Sequence, residues 1–164
     1  MPLLQVPYVS QTSVTASRYR NDCGIACALM VAKYRYPEGN QTVDGLAKHT
    51  RLVTRDKGLT PADLIQVLKL LQVESHAQHS LSVDTLKNQI DFKKPVILLV
   101  NYKYFESKAF GHYVTLVGYD GDNMIVHDPY LRGPSYHMPI GTFQKATEDV
   151  NQFFYFKAQG VLLN

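Results

Sequence analysis

Asn21-Asp22-Cys23-Gly24-Ile25-Ala26-Cys27-Ala28-Leu29-Met30-Val31-Ala32-Lys33-Tyr34 sets a cysteine at the doorstep of an almost wholly apolar run. A helix from about Gly24 to Tyr36 with apolar side chains nearly all round has no face to give to water, so it is expected to run through the core. Asn21 or Asp22 stands where a side chain caps the first turn. Unpaired N–H groups at a helix start carry partial positive charge, which favours thiolate over thiol at Cys23. Gly24, lacking a Cβ, is expected to let a substrate backbone come close. Cys27, flanked by Ala26, Ala28 and Leu29, reads instead as a small buried hydrophobe. The two cysteines lie four apart on one helix, where disulfide geometry is not readily reached, so both are expected to be free thiols in a reducing cytoplasm.

Around this helix the rest of the chain falls into place. An extended N-terminal segment leads to a small, polar stretch over residues 11–20 that suits a loop. Pro37-Glu38-Gly39-Asn40 ends the cysteine helix. Thr60-Pro61-Ala62-Asp63 opens another with a capping residue, proline at the first helical position and an acid in the first turn. Leu64, Val67, Leu68 and Leu71 then repeat on one face. Shorter helices are expected around Val43–His49 and Val83–Ile90, the second capped by Ser82. After Pro95 the character changes. Val96-Ile97-Leu98-Leu99-Val100 reads as a central strand and His112 to Tyr119 as another. Asp120-Gly121-Asp122-Asn123 signals a turn, with Met124-Ile125-Val126-His127 as the hairpin partner. Phe153-Phe154-Tyr155-Phe156 and Gly160-Val161-Leu162-Leu163 supply closing strands. Helices come first and an antiparallel sheet second, an α+β layout.

Length and composition narrow the function. A chain of 164 residues fits one domain, and 45% hydrophobic with 19% charged residues is ordinary for a packed core. The formal charge is +3 with basic residues scattered and no basic block, so no nucleic-acid partner is expected. The N-terminus lacks the basic-then-apolar pattern of a secretory signal, and no apolar run is long enough to span a membrane. His76 and His79 are three apart and would meet on one helical face, but neither cysteines nor carboxylates cluster with them; no metal or cofactor is expected. Neither a phosphate-cradling glycine loop nor a Gly-x-Ser-x-Gly elbow occurs.

A thiol nucleophile needs a base for its proton, a group that orients the base, and donors for an oxyanion. Cys23, His112 in Gly111-His112-Tyr113-Val114, and Asp128 in His127-Asp128-Pro129 supply the nucleophile, the base and the orienting group. Gln11 is the best side-chain donor for the oxyanion. Each has a plainer reading: a strand-edge histidine for His112, an Asp-Pro turn for Asp128, and groove lining or packing alike for Tyr102, Tyr104 and Phe105. With a three-residue turn Asp128 falls opposite Leu116, on the His112 face but about 13 Å along the strand, so twist or a bulge must close the gap.

Together, Val6-Pro7-Tyr8-Val9-Ser10-Gln11, Asn21-Asp22-Cys23-Gly24, Gly111-His112-Tyr113-Val114, Gly118-Tyr119-Asp120 and Asp128-Pro129 resemble the C39 family of cysteine peptidases in order and spacing. The resemblance implies a single papain-like domain over residues 1–164, its cysteine helix packed on a C-terminal antiparallel sheet. It implies Cys23 as nucleophile, His112 as general base and acid, Asp128 as orienter and Gln11 as oxyanion donor, acting on a peptide or protein substrate. Members joined to peptide exporters remove leader peptides after a double-glycine motif; this chain is more similar to freestanding members. In exporter-type members the glutamine lies a few residues before the cysteine, whereas here twelve positions separate Gln11 from Cys23, so the loop must fold back. A transferase or deamidase would use the same three groups, and a papain-like binding module would use none of them.

Overall fold

In a computed structural model that describes residues 2–12, 21–52, 58–150 and 157–164, the cysteine helix α1 (Cys23–Arg35) is buried without interruption from Gly24 to Ala32. Two helices lie against it, α2 (Val43–Thr50) and α3 (Pro61–Leu70). The N-termini of both are built as their sequences dictate. The Thr42 hydroxyl accepts from the Gly45 N–H, and Thr60 and Asp63 cap each other's backbone in a reciprocal box. Helix α4 (Val83–Asp91) is capped in the same way by Ser82. For α1 the outcome differs: Asp22 occupies the capping position, but its side chain makes no capping hydrogen bond. Only its backbone carbonyl serves, accepting from the Ala26 N–H at 2.9 Å.

Six antiparallel strands follow the order β1 (Ser75–Gln78), β6 (Gly160–Leu163), β2 (Val96–Asn101), β3 (Gly111–Tyr119), β4 (Asn123–Asp128), β5 (Gly133–Pro139). Strand β2 is buried at every position because both faces are covered. Ile97 and Leu99 pack with Tyr113 against the α1 side, while Leu98 and Val100 pack on the other side with α4 and with α5 (Ile140–Glu148). The result is the expected α+β, papain-like arrangement, with two refinements. Strand β1 enters the sheet from the helical half of the chain, and α5 lies among the strands of the second half. The residues Phe153 to Phe156 lie outside the described residues, whereas Gly160–Leu163 does form a strand, inside the sheet between β1 and β2.

One irregularity moves the site. Tyr119 pairs with Met124 and Gly118 with Ile125, but Leu116 then pairs with Val126 and Thr115 with His127, leaving Val117 as an extra residue on β3. The turn and this bulge carry Asp128 to the level of Val114 and not of Leu116. The offset from His112 falls from four residues to two, or from about 13 Å to about 7 Å along the strand. Beside the bulge, Gly118 lets the N-terminal segment in. The Leu4 N–H donates to the Val117 carbonyl at 2.8 Å, and a Cβ on Gly118 would stand 2.7 Å from the Pro2 carbonyl oxygen.

Candidate active site

Asp128, fully buried at the end of β4, is the best-bonded side chain of the fold's centre. Its Oδ1 accepts from His112 Nε2 at 2.7 Å and from the Tyr130 N–H at 2.9 Å. Its Oδ2 accepts from the Tyr102 hydroxyl at 2.7 Å and from the Arg132 N–H at 2.9 Å. Burial alone raises a carboxyl's pKa, but these donors, His112 foremost, outweigh it and hold Asp128 below the usual carboxylate range. The Asp-Pro turn of the plainer reading is therefore present and also serves the site: the backbone of Tyr130 and Arg132 curls back onto the carboxylate.

An ionised carboxylate only accepts hydrogen bonds, so Nε2 of His112 carries the proton and Nδ1 is the nitrogen left to serve Cys23. His112 is almost fully buried, yet its pKa rises to about 9: desolvation lowers it, and the charges and hydrogen bonds of Cys23 and Asp128 more than reverse that. For Cys23 desolvation raises the pKa, while the charge and hydrogen bond of His112, then the backbone groups of Tyr113 and Gly24, bring it below the ordinary thiol value. Each of the pair thus favours the other's charged form, an arrangement that can hold a thiolate beside an imidazolium. Cys23 is partly exposed, whereas Cys27 is buried, and its pKa is pushed well up by burial.

Three bonds lay the N-terminal segment along this site. His127 Nε2 donates to the Val6 carbonyl at 2.9 Å, the Tyr8 hydroxyl to the Asp128 carbonyl at 2.9 Å, and the Gln11 N–H to the Pro129 carbonyl at 2.8 Å. Gln11 is buried there, so residue 11 does return to the end of β4 despite the distance in sequence. Residues 13–20, which the sequence reading gives as a loop, lie outside the described residues.

Several readings need correction. Gly24 is not an opening for substrate: it is buried, and a Cβ on it would lie 3.0 Å from Leu59 Cδ1 and 3.3 Å from Tyr113 Cδ2. Its smallness lets α1 approach the sheet. Tyr102 and Phe105 are buried and stacked 5.3 Å apart, so these two pack and do not line a groove; Tyr104 is half-buried and its hydroxyl donates to Asp149. His76 sits on strand β1, bonded to Asn164, and shares no helical face with His79; among the described residues no cluster of metal-binding side chains occurs. Sequence reasoning missed Tyr102 as a partner of Asp128. Its only signal was an aromatic hydroxyl directly after a buried strand.

A papain-like fold with a partly exposed cysteine beside a buried histidine and aspartate defines the class into which the chain falls. The sequence model of the Peptidase_C39 like family matches residues 3–155, and the chain belongs to that family. Solved structures agree on the fold. A Bacillus anthracis protein assigned as a C39-like peptidase is 17% identical with a TM-score of 0.73, covering 99% of this chain and 96% of that one. The peptidase domain of Streptococcus ComA, a bifunctional ABC transporter of a quorum-sensing pathway, is 21% identical with a TM-score of 0.68, covering 96% and 97%. A double glycine motif protease from an AMS/PCAT transporter, solved with its leader peptide, is 19% identical with a TM-score of 0.67, covering 98% and 93%. Among curated proteins none matches the sequence. Among the described residues no helix is long and apolar enough to cross a membrane.

Proposed function

We propose that this chain is a cysteine peptidase, one catalytic domain over residues 1–164, acting in the cytoplasm on a peptide or protein substrate. The observation that carries the reading is the pairing of Cys23 with His112, each favouring the other's charged form, on an imidazole whose Nε2 is bonded to Asp128 at 2.7 Å. The Cys23 thiolate attacks the peptide carbonyl carbon, forming an Sγ–C bond and an oxyanion. The Cys23 N–H at the helix start and the Gln11 side chain serve as oxyanion donors. The C–N bond then breaks as Nδ1–H of His112 gives its proton to the leaving amine. Water, deprotonated by His112, hydrolyses the thioester, releasing the acid and restoring the thiolate–imidazolium pair. No cofactor enters these steps.

The test is the pH dependence of Cys23 alkylation by iodoacetamide, followed by peptide mass spectrometry in the parent and in His112→Ala. Reaction well below pH 7 that disappears in the variant is expected. Reaction that rises only near about pH 8.5 and ignores the substitution would overturn the reading, because it is the behaviour of an unactivated thiol.

A further inference from the structure

We propose that Tyr102 is the positioning residue of this site: its hydroxyl holds Oδ2 of Asp128, and through that carboxylate it sets how firmly Oδ1 holds the His112 imidazole. The inference rests on the cysteine peptidase reading for its meaning, but its geometry stands apart from Cys23. Tyr102 follows directly on β2, which pairs with β3 so that Val100 lies opposite His112. The side chain therefore rises beside the imidazole, with ring centroids 4.5 Å apart. Phe105 stacks on the ring, Phe110 packs at 4.8 Å and the side chain is fully buried, so the ring has no room to swing. The hydroxyl is used twice, donating to Asp128 Oδ2 at 2.7 Å and accepting from the Leu131 N–H at 3.2 Å.

Burial, and then the carboxylate beside it, push the phenol's pKa up, so it remains a donor. A donor on Oδ2 draws charge away from Oδ1 and weakens that oxygen as a base. Without it Asp128 would stay in place, since the Tyr130 and Arg132 N–H groups still hold it, but would grip the imidazolium harder. An imidazolium held too hard is a poorer acid toward a leaving amine. The titratable and charged groups around the cluster are Cys23 from α1, His112 from β3, Asp128 from β4, Tyr130 and Arg132 from the loop after it, Tyr8 on the Asp128 carbonyl, and Glu106 beyond the turn that carries Tyr102.

The experiment is the titration of the His112 ring nitrogens by nitrogen-15 NMR in Cys23→Ala protein, where the thiolate is gone and the result is independent of whether Cys23 is activated. Tyr102→Phe keeps the ring and removes the hydroxyl; it should move the His112 titration upward by roughly half a pH unit. Replacing Tyr102 with 3,5-difluorotyrosine keeps the shape and strengthens the donor, and should move it downward. Opposite shifts support the positioning role. A titration unmoved by both, or a downward shift in Tyr102→Phe, overturns it, since a packing role changes stability without tuning the imidazole. If Tyr102→Phe does not fold, the fluorinated protein alone decides, by its downward shift or lack of one.

Discussion

His127 and Val6 are joined by a 2.9 Å hydrogen bond from the imidazole Nε2 to the main-chain carbonyl, while Nδ1 of the same ring accepts from the Ser135 N–H at 3.0 Å. A ring that donates from one nitrogen and accepts at the other is neutral. Burial keeps its pKa below the ordinary value, with the Val6 bond opposing in part. The folded state therefore binds fewer protons here than the unfolded state, and stability rises with pH. The contribution is complete above about pH 6.5 and is lost as the pH falls from there through the folded value. Urea denaturation at a series of pH values should show the parent losing stability between about pH 6.5 and 5 more steeply than His127→Gln, which has no such proton to gain; equal slopes would contradict the assignment.

Asp128→Asn should destabilise the protein by about 3 kcal/mol at pH 7, because four donors converge on the carboxylate and an amide presents N–H groups to two of them. The folded pKa of Asp128 is depressed, so this contribution is present above the ordinary carboxylate value near 3.9 and is lost as the pH falls through the folded one. The gap between parent and variant should accordingly narrow below about pH 4. Denaturant midpoints at pH 7 and pH 3 test both parts.

Gly24→Ala sets two effects against each other. Alanine favours the helix by about 1 kcal/mol, and the new Cβ crowds Leu59 and Tyr113 at a cost of about 1–3 kcal/mol. The net expectation is a loss of about 1 kcal/mol. In a Leu59→Val background, which removes the Cδ1 that stands 3.0 Å away, the same substitution should become neutral or stabilising. A double-mutant cycle without coupling between the two positions would show that Leu59 is not the obstacle.

Gly118→Ala should release the N-terminal segment, since the Pro2 carbonyl that a Cβ would meet is backbone and the Tyr119 N–H donates to that same oxygen at 3.2 Å. The expected cost is about 2 kcal/mol. Hydrogen exchange at Leu4, whose N–H is bonded to Val117, should quicken by ten-fold or more relative to the parent. Unchanged protection at Leu4 would mean that the segment docks without this contact.

The sheet was legible where burial forces a pattern and silent where it does not. Val96 to Val100 and His112 to Tyr119 are covered on both faces or nearly so, and continuous apolar runs give them away. Strands β1 and β5 lie at the two edges, mostly exposed; β1 carries no apolar alternation, and in β5 only Tyr136 and Met138 mark an inward face. Pro134, Pro139 and a left-handed Ser135 even argue against a strand, though edge strands tolerate them. Helix α5 follows Pro139 and has no side-chain cap, so its start had no local signature.

For the site, the sequence by itself determined the inventory: Cys23 at a helix start, a histidine opening a strand, and an aspartate closing its hairpin partner are all local facts. It also determined that α1 must be buried, because no face of that helix is polar. Tertiary structure decided the distances. Whether Asp128 met His112 depended on one unpaired residue, Val117, whose insertion shifts the register and which no periodicity marks. Whether Gln11 reached the same place depended on a bond to Pro129 across most of the chain's length. Tyr102 joined the site only because β2 and β3 pair in a register that sets it beside His112. Side-chain chemistry is written residue by residue, but proximity between residues distant in the chain is a property of register and packing, and these are settled by the whole sheet at once.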